Sequence, residues 1–283
     1  MYIWRKRVIA NWLGERNDEL VRRFGGTLAI VDVPGKARTL VEIFCRKRAE
    51  ALRLQREFGG SIETLPRNWF QELTKRGQTK PLRIGSRLIV QATLDKKRQK
   101  TAACSIIIPA EAAFGTGEHA TTAMCLRLLE RHTRKLPPGW SMLDAGMGSG
   151  ILAIAARCLG AARVLAIDND PSACAIAKRN ARANGLRKIE FRASDILNLK
   201  LTKKFNVITA NLFSEILITA LPGWSRRLAR RGFVILSGFL RTQERPVVSA
   251  LRRKGFAIQE IRRRGKWVAV LAGRRTAHRA VLT

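Results

Sequence analysis

LDAGMGSGILAIAARCLGAARVLAIDND, residues 143–170, reads as a strand, a glycine turn, a helix and a second strand in register. Asp144 ends the first strand, Gly146, Gly148 and Gly150 form the turn, and Asp168 ends the second strand. Glycine is needed where the backbone turns sharply and a ligand must lie against it with no Cβ in the way. A carboxylate at the end of the next strand can accept both hydroxyl hydrogens of a ribose. The same rhythm continues outward. Apolar runs at Met142 to Ala145, Val164 to Ile167, Ile189 to Arg192, Val207 to Ala210 and Val234 to Leu236 alternate with helical stretches, which predicts a parallel, doubly wound α/β sheet. Phe256 to Ile261 and Trp267 to Leu271, joined by the short basic turn RRRGK, predict an antiparallel edge hairpin.

The first 65 residues are different. They read as strand (Tyr2 to Ile9), helix (Glu15 to Phe24), strand (Thr27 to Val33), strand (Thr39 to Cys45), helix (Lys47 to Phe58) and strand (Ser61 to Thr64), broken at Gly25-Gly26, Pro34-Gly35 and Gly59-Gly60. That order is the βαββαβ of a ferredoxin-like unit, which by itself indicates only a binding module. Pro66 to Lys80 reads as an irregular connection and Leu82 to Leu94 as a hairpin turning at Gly85-Ser86, followed by the charged stretch Asp95 to Lys100. The expected organisation is a ferredoxin-like domain at 1–65, a linker with a short hairpin at 66–104, the α/β domain at 105–275 and a basic tail at 276–283.

A chain of 283 residues with 46% hydrophobic residues and only 9 Pro buries a sizeable core, which excludes extended disorder. No uninterrupted apolar run reaches membrane-spanning length, and the basic start lacks the apolar stretch of a secretory signal, so a cytosolic protein is expected. Cys45, Cys104, Cys125, Cys158 and Cys174 form no C-x-x-C pair and meet no histidine at zinc-ligand spacing; they are expected as reduced, mostly buried thiols, with no metal bound. Lys and Arg number 54 against 21 Asp and Glu, a net charge of +33, distributed as +13, +5 and +15 over residues 1–100, 101–200 and 201–283. Such a balance suits an anionic partner such as RNA, or a substrate embedded in RNA.

The glycine spacing separates two cofactor classes. Dinucleotide binders need G-x-G-x-x-G, but position 151 is Ile and the glycines fall as G-x-G-x-G behind Asp144. That pattern resembles class I S-adenosylmethionine-dependent methyltransferases, in which the acidic residue helps hold the amino-acid moiety. AAFGTGEHATTAMCLRLLE (Ala112 to Glu130), DAGMGSGILAIAA, AIDNDPSA and ANLFSEIL together closely resemble the bacterial ribosomal protein methyltransferases of the PrmA family, which modify the large-subunit stalk-base protein. The leading βαββαβ unit and Asn68 to Val90 also look like that family's recognition domain and linker.

The resemblance implies a Rossmann-like, seven-stranded, mostly parallel sheet with an antiparallel edge hairpin. At matching positions Thr122, Asp144, Gly146, Gly148, Gly150, Asp168, Asp195 and Asn211 would hold S-adenosylmethionine, with Asn211 as the catalytic residue. Ser194-Asp195 reads equally well as an inert polar loop, and His119 as a packing residue. The implied reaction is transfer of methyl groups to lysine and N-terminal amines of a large-subunit ribosomal protein by a monomer, with rRNA or ribosome contact through the basic surface. Two rivals stay open: methylation of rRNA, and methylation of lysines on another protein. ANLF is not the N-P-P-[YF] of enzymes that methylate exocyclic base nitrogens, and aromatic residues for base stacking are only 6%, whereas the charge favours RNA. Where the family has Asp before the fourth strand, this chain has Asn206.

Overall fold

The computed structural model describes residues 2–24, 27–32, 38–45, 47–64, 81–92, 103–109, 117–198 and 201–274. The chain divides into two compact units, Met1–Lys75 and Arg76–Thr283.

In the first unit, β1 (Tyr2–Val8), α1 (Ala10–Phe24), β2 (Leu28–Asp32), β3 (Thr39–Cys45), α2 (Arg48–Phe58) and β4 (Ser61–Thr64) form an antiparallel sheet of order β2-β3-β1-β4. This is the ferredoxin-like arrangement: α1 joins β1 to β2 across the position of β3, and α2 joins β3 to β4 across β1. Trp4, Val41 and Ile43 from the sheet and Leu13, Leu20, Ala51 and Leu54 from the helices form one core. The Trp4 indole donates to Gly59 O at 2.7 Å, so this buried polar group is satisfied.

The second unit opens with β5 (Leu82–Ile84), β6 (Leu88–Gln91) and β7 (Cys104–Ile107), a small sheet in which β6 and β7 run parallel. After it come α3 (Ala120–His132), β8 (Ser141–Ala145), α4 (Ile151–Cys158), β9 (Arg163–Asp168), α5 (Pro171–Ala183), β10 (Glu190–Ala193) and β11 (Phe205–Asn211). Then follow α6 (Ser214–Arg227), β12 (Leu228–Leu240), α7 (Glu244–Arg253), β13 (Phe256–Arg264) and β14 (Trp267–Arg274). The large sheet has the order β10-β9-β8-β11-β12-β14-β13, with the β13–β14 hairpin antiparallel and the other neighbours parallel up to β12.

Strand residues alternate between two cores. Met142, Val164 and Val207 face α3 and α4, whereas Leu143, Leu165 and Ile208 face the opposite layer with Leu217, Trp224 and Leu251. Both faces are covered, which is why these strands are apolar at nearly every position. Each fully buried Leu or Ile contributes about 1.5–3 kcal/mol.

The β5–β6 hairpin, which the sequence reading sets within a linker at 66–104, packs with the large sheet's unit. Ile84, Leu88 and Val90 join Ile106 and Ile108 of the β7 region in the core over α3 and α4. Asn184, at the end of α5, grips β7 by donating to Ile107 O and accepting from Ile107 N, both at 2.7 Å. The expected irregular connection at 66–80, the charged stretch 95–100 and the tail 276–283 lie outside the described residues.

One expectation is overturned. Cys104 and Cys158 form a disulfide rather than two reduced thiols. β7 lies against α4, and this brings their Cα atoms to 6.0 Å, within the usual range for a bridge. Residue spacing alone carries no trace of a contact between positions 54 residues apart. Cys45, Cys125 and Cys174 are buried thiols.

Candidate active site

The site residues converge at the C-terminal ends of β8, β9 and β11, the edge where open α/β sheets bind ligands. Parallel pairing sets Thr209 opposite Asp144. Asp144 is 0% exposed; its Oδ1 accepts from the Thr209 hydroxyl at 2.8 Å and its Oδ2 from Ala153 N at 3.1 Å. Burial pushes its carboxyl up to about 7, the bonds from Thr209 and Ala153 pull it down, and the charge of Asp168 adds to the rise. Enclosed in this way, Asp144 ties the strand to the start of α4 and supports the glycine turn from below.

Gly146 and Gly150 have φ of 77° and 79°, a region that disfavours any side chain. A Cβ on Gly146 would land on the Leu212 side chain, and one on Gly150 would stand 2.8 Å from Ala177 Cβ. Gly148 N donates to Asp168 Oδ2 at 3.0 Å, while Asp168 Oδ1 accepts from Asp170 N at 3.1 Å. Each oxygen accepts one of these bonds and has a second lone pair, so half-buried Asp168 keeps capacity for a diol. Ser194 N donates to Asp168 O at 2.7 Å, which sets the Ser194-Asp195 loop beside it. Asp195 is exposed, and its carboxylate accepts from Leu197 N at 2.9 Å and from Asn198 Nδ2 at 2.6 Å, a local turn.

Asn211 ends β11 and faces α3. Its Nδ2 donates to Thr121 Oγ1 at 3.1 Å and to Thr122 Oγ1 at 3.4 Å, and both threonines are 1% exposed. Thr121 Oγ1 also lies 2.7 Å from His119 Nδ1, and the His119 ring meets the Trp267 ring edge-on at 5.0 Å. This chain from Trp267 through His119 and Thr121 fixes the amide of Asn211. Among the described residues its buried Oδ1 has no hydrogen-bond partner, which leaves an acceptor in need of a donor. Cys125 sits behind, near Asp144 and Ser237; burial pushes its thiol up to about 12, so it stays neutral and is no nucleophile.

The structure thus gathers Thr122, Asp144, Gly146, Gly148, Gly150, Asp168 and Asn211 around one mouth, with Asp195 on its rim. Thr121, Thr209 and Trp267 were missed. Thr209 was open to inference, because it sits two residues before Asn211 on the same face of a strand. Asn206 occupies a structural post: its Oδ1 accepts from Ser141 N at 2.9 Å and Ser141 Oγ at 3.1 Å, joining β11 to β8. Residues 114–116 of the FGTGEHATT loop lie outside the described residues, as does the rest of 110–116. Among the described residues no cluster of potential ligands suits a metal ion.

Residues 38–275 match the protein family described as ribosomal protein L11 methyltransferase (PrmA). The chain belongs to this family. Among PrmA relatives, the ribosomal protein L11 methyltransferase of Heliobacterium modesticaldum is 39% identical over 196 residues, covering 69% of this chain and 61% of that one. The protein of the same name from Pelotomaculum thermopropionicum is 39% identical over 194 residues, covering 68% and 62%. The chain therefore spans about three fifths of the length of the curated PrmA relatives it matches. The crystal structure titled ribosomal protein L11 methylase from Lactobacillus delbrueckii subsp. bulgaricus superposes with a TM-score of 0.64 at 30% identity, over 70% of this chain and all of that one. The large sheet is accordingly the class I methyltransferase fold expected of a PrmA protein.

Proposed function

We propose that this chain transfers methyl groups from S-adenosylmethionine to lysine side-chain amines, with the N-terminal α-amine as a further acceptor, of the ribosomal protein for which its relatives are named. The observation that carries this reading is the buried Oδ1 of Asn211, unpartnered among the described residues and held at the mouth of the sheet beside the glycine turn. The cofactor supplies an electrophilic methyl on a sulfonium. Asp168 takes the ribose hydroxyls, the turn at Gly146 and Gly148 lets the amino-acid part lie against backbone, Thr122 and Asp195 close the sides, and Asp144 holds the frame.

The displacement is in line, so alignment and exclusion of water do most of the work. A lysine amine has a reference pKa of about 10.4 and must be neutral to attack. Asn211 Oδ1 offers an acceptor for an N–H of that amine and aims its lone pair at the methyl, and no covalent nucleophile takes part. We place the protein in the cytoplasm as a monomer; among the described residues no helix is long and apolar enough to cross a membrane. The excess of positive charge suits contact with ribosomal RNA while the protein substrate is engaged.

The same charge favours a second reading, methylation of rRNA itself. Incubation with radiolabelled S-adenosylmethionine and ribosomal proteins from an unmodified source, with and without nuclease, separates them. Label in one small ribosomal protein, surviving nuclease, is expected; label lost with the RNA moves the substrate to rRNA, and label in a different protein keeps the chemistry and changes the target.

A further inference from the structure

The arginine clusters separate in the fold. Arg262 and Arg263, at the end of β13, are paired with Glu260 and Glu244 at the edge that bears the active site. The other clusters gather at the opposite edge, where the parallel strands begin. Arg226 and Arg227 end α6, and Arg252 and Arg253 end α7. Arg230 and Arg231 bulge from β12 between its first pair, Leu228 with Phe205, and its next, Phe233 with Val207. Arg163 starts β9 and Arg274 ends β14.

Hydrogen bonds join these pieces into one rim. Arg163 donates to Lys204 O at 2.7 Å, Arg227 to Thr202 O at 3.0 Å, and the Ser225 hydroxyl to Lys254 O at 3.1 Å. The acceptors are backbone carbonyls, so the charges are not neutralised. None of these cations makes an ion pair among the described residues, and all but Arg227 are exposed. The acids of α6 and α7, Glu215 and Glu244, stand in the first turns, at the far ends of the helices.

We propose that this rim is a docking surface for the phosphate backbone of double-helical RNA. The proposal deepens the RNA-contact part of the reading above and rests on it, but it is independent of methyl transfer, which belongs to the other edge. From β9 to β13 the edge crosses five strand spacings, about 24 Å, a length suited to a linear polyanion. The large apolar residues exposed among the described ones, Ile9 and Leu197, lie on neither α6, α7 nor the strand starts, so the rim has nothing to insert into a lipid layer. Phe205, Trp224 and Phe256 are buried beneath it, leaving no ring among the described residues for stacking on unpaired bases. The contact is therefore with backbone, indifferent to sequence and sensitive to salt.

The test is fluorescence anisotropy of a labelled RNA hairpin with the full chain. One variant carries Arg226→Glu, Arg230→Glu, Arg231→Glu and Arg252→Glu. A charge-matched control carries Arg22→Glu, Arg48→Glu, Arg53→Glu and Arg56→Glu in the first unit, which are also exposed. Near physiological salt the rim variant is expected to bind at least about tenfold more weakly, with the log–log salt slope reduced by roughly 3, while the control stays within about threefold. Glutamine at the same four rim positions should move binding in the same direction by less, which keeps the test usable where charge reversal disturbs folding. Equal losses in rim variant and control, or no loss in the rim variant, overturn the surface assignment. An unmodified chain that ignores the hairpin, or that binds phosphatidylserine vesicles in its place, overturns RNA contact altogether. Label transfer to the ribosomal protein is scored separately and reports on the active site alone.

Discussion

Asn211 and Asp168 flank the glycine turn, one on β11 and one on β9 with β8 between them, and their surroundings assign them different work. Asn211 has its amide fixed by two threonines and, among the described residues, its oxygen unpartnered, and the proposed reaction gives that oxygen the incoming amine. Asn211→Ala is expected to lower the methylation rate at saturating cofactor on the order of 10²-fold, with S-adenosylmethionine affinity nearly unchanged; equal rates sink the assignment. Asp168→Ala removes charge-assisted bonds worth about 1.5–3 kcal/mol, so calorimetry should show cofactor binding weakened roughly 10- to 100-fold, and unchanged affinity refutes it. Asp144 makes a prediction of another kind. Burial raises its folded-state pKa from 3.8 to about 7, so the folded chain holds a proton that the unfolded chain has lost. The stability this group contributes is full at low pH and falls as pH rises from about 4 to about 7. Melting temperatures of the unmodified chain and Asp144→Asn, compared across that range, should shift steadily in favour of the variant as pH rises; a constant gap means that the carboxyl is not perturbed. These three residues were legible in the sequence because strand ends and a glycine turn mark them. Thr121 and Trp267 were not, because a hydroxyl inside a helix and a ring in an edge hairpin reach this place only when distant elements pair.

At the scale of elements, legibility follows the range of the interactions that make each one. Thr39–Cys45 and Ser61–Thr64 occur with the bounds read from their β-branched runs and glycine breaks, and the alternating strands of the large sheet fall where both-face burial demands apolar runs. β12 reads as three residues, Val234 to Leu236, yet runs Leu228–Leu240, because its pairing with β11 and β14 holds residues that have no strand pattern of their own. β7 escapes notice for the same reason: CSII is four residues long, and what makes it a strand is parallel pairing with β6 together with the cover it gives α4. The Cys104–Cys158 bridge is a consequence of that packing. It closes a loop between positions 54 residues apart, for which roughly 2–4 kcal/mol of stabilisation is expected. A reductant should therefore lower the melting temperature of the unmodified chain and leave that of Cys104→Ser unmoved. Alkylation of the unfolded, unreduced chain should label Cys45, Cys125 and Cys174; five labelled cysteines would show that the bridge does not form.

For the whole molecule, the net charge of +33 is the quantity that sequence states outright and local pattern does not explain. Some of the cations are neutralised in surface pairs such as Arg23 with Glu19 and Glu57, Arg192 with Glu190 and Arg263 with Glu244. Exposed pairs of this kind contribute about 0–1 kcal/mol each, and with 54 basic against 21 acidic residues most cations have no acid to meet. Like charges crowded at one rim repel at short range, and that repulsion opposes the compact state. Added salt weakens both effects, since the Debye length falls to about 10 Å at 0.1 M; with so large an excess of one sign, the loss of repulsion outweighs the loss of attraction. The melting temperature should therefore rise as a monovalent salt is added from low to physiological strength, and the variant with glutamine at Arg226, Arg230, Arg231 and Arg252 should start higher and rise less. A melting temperature that falls with salt would mean that the ion pairs, and not the unpaired rim, dominate the electrostatics of the fold.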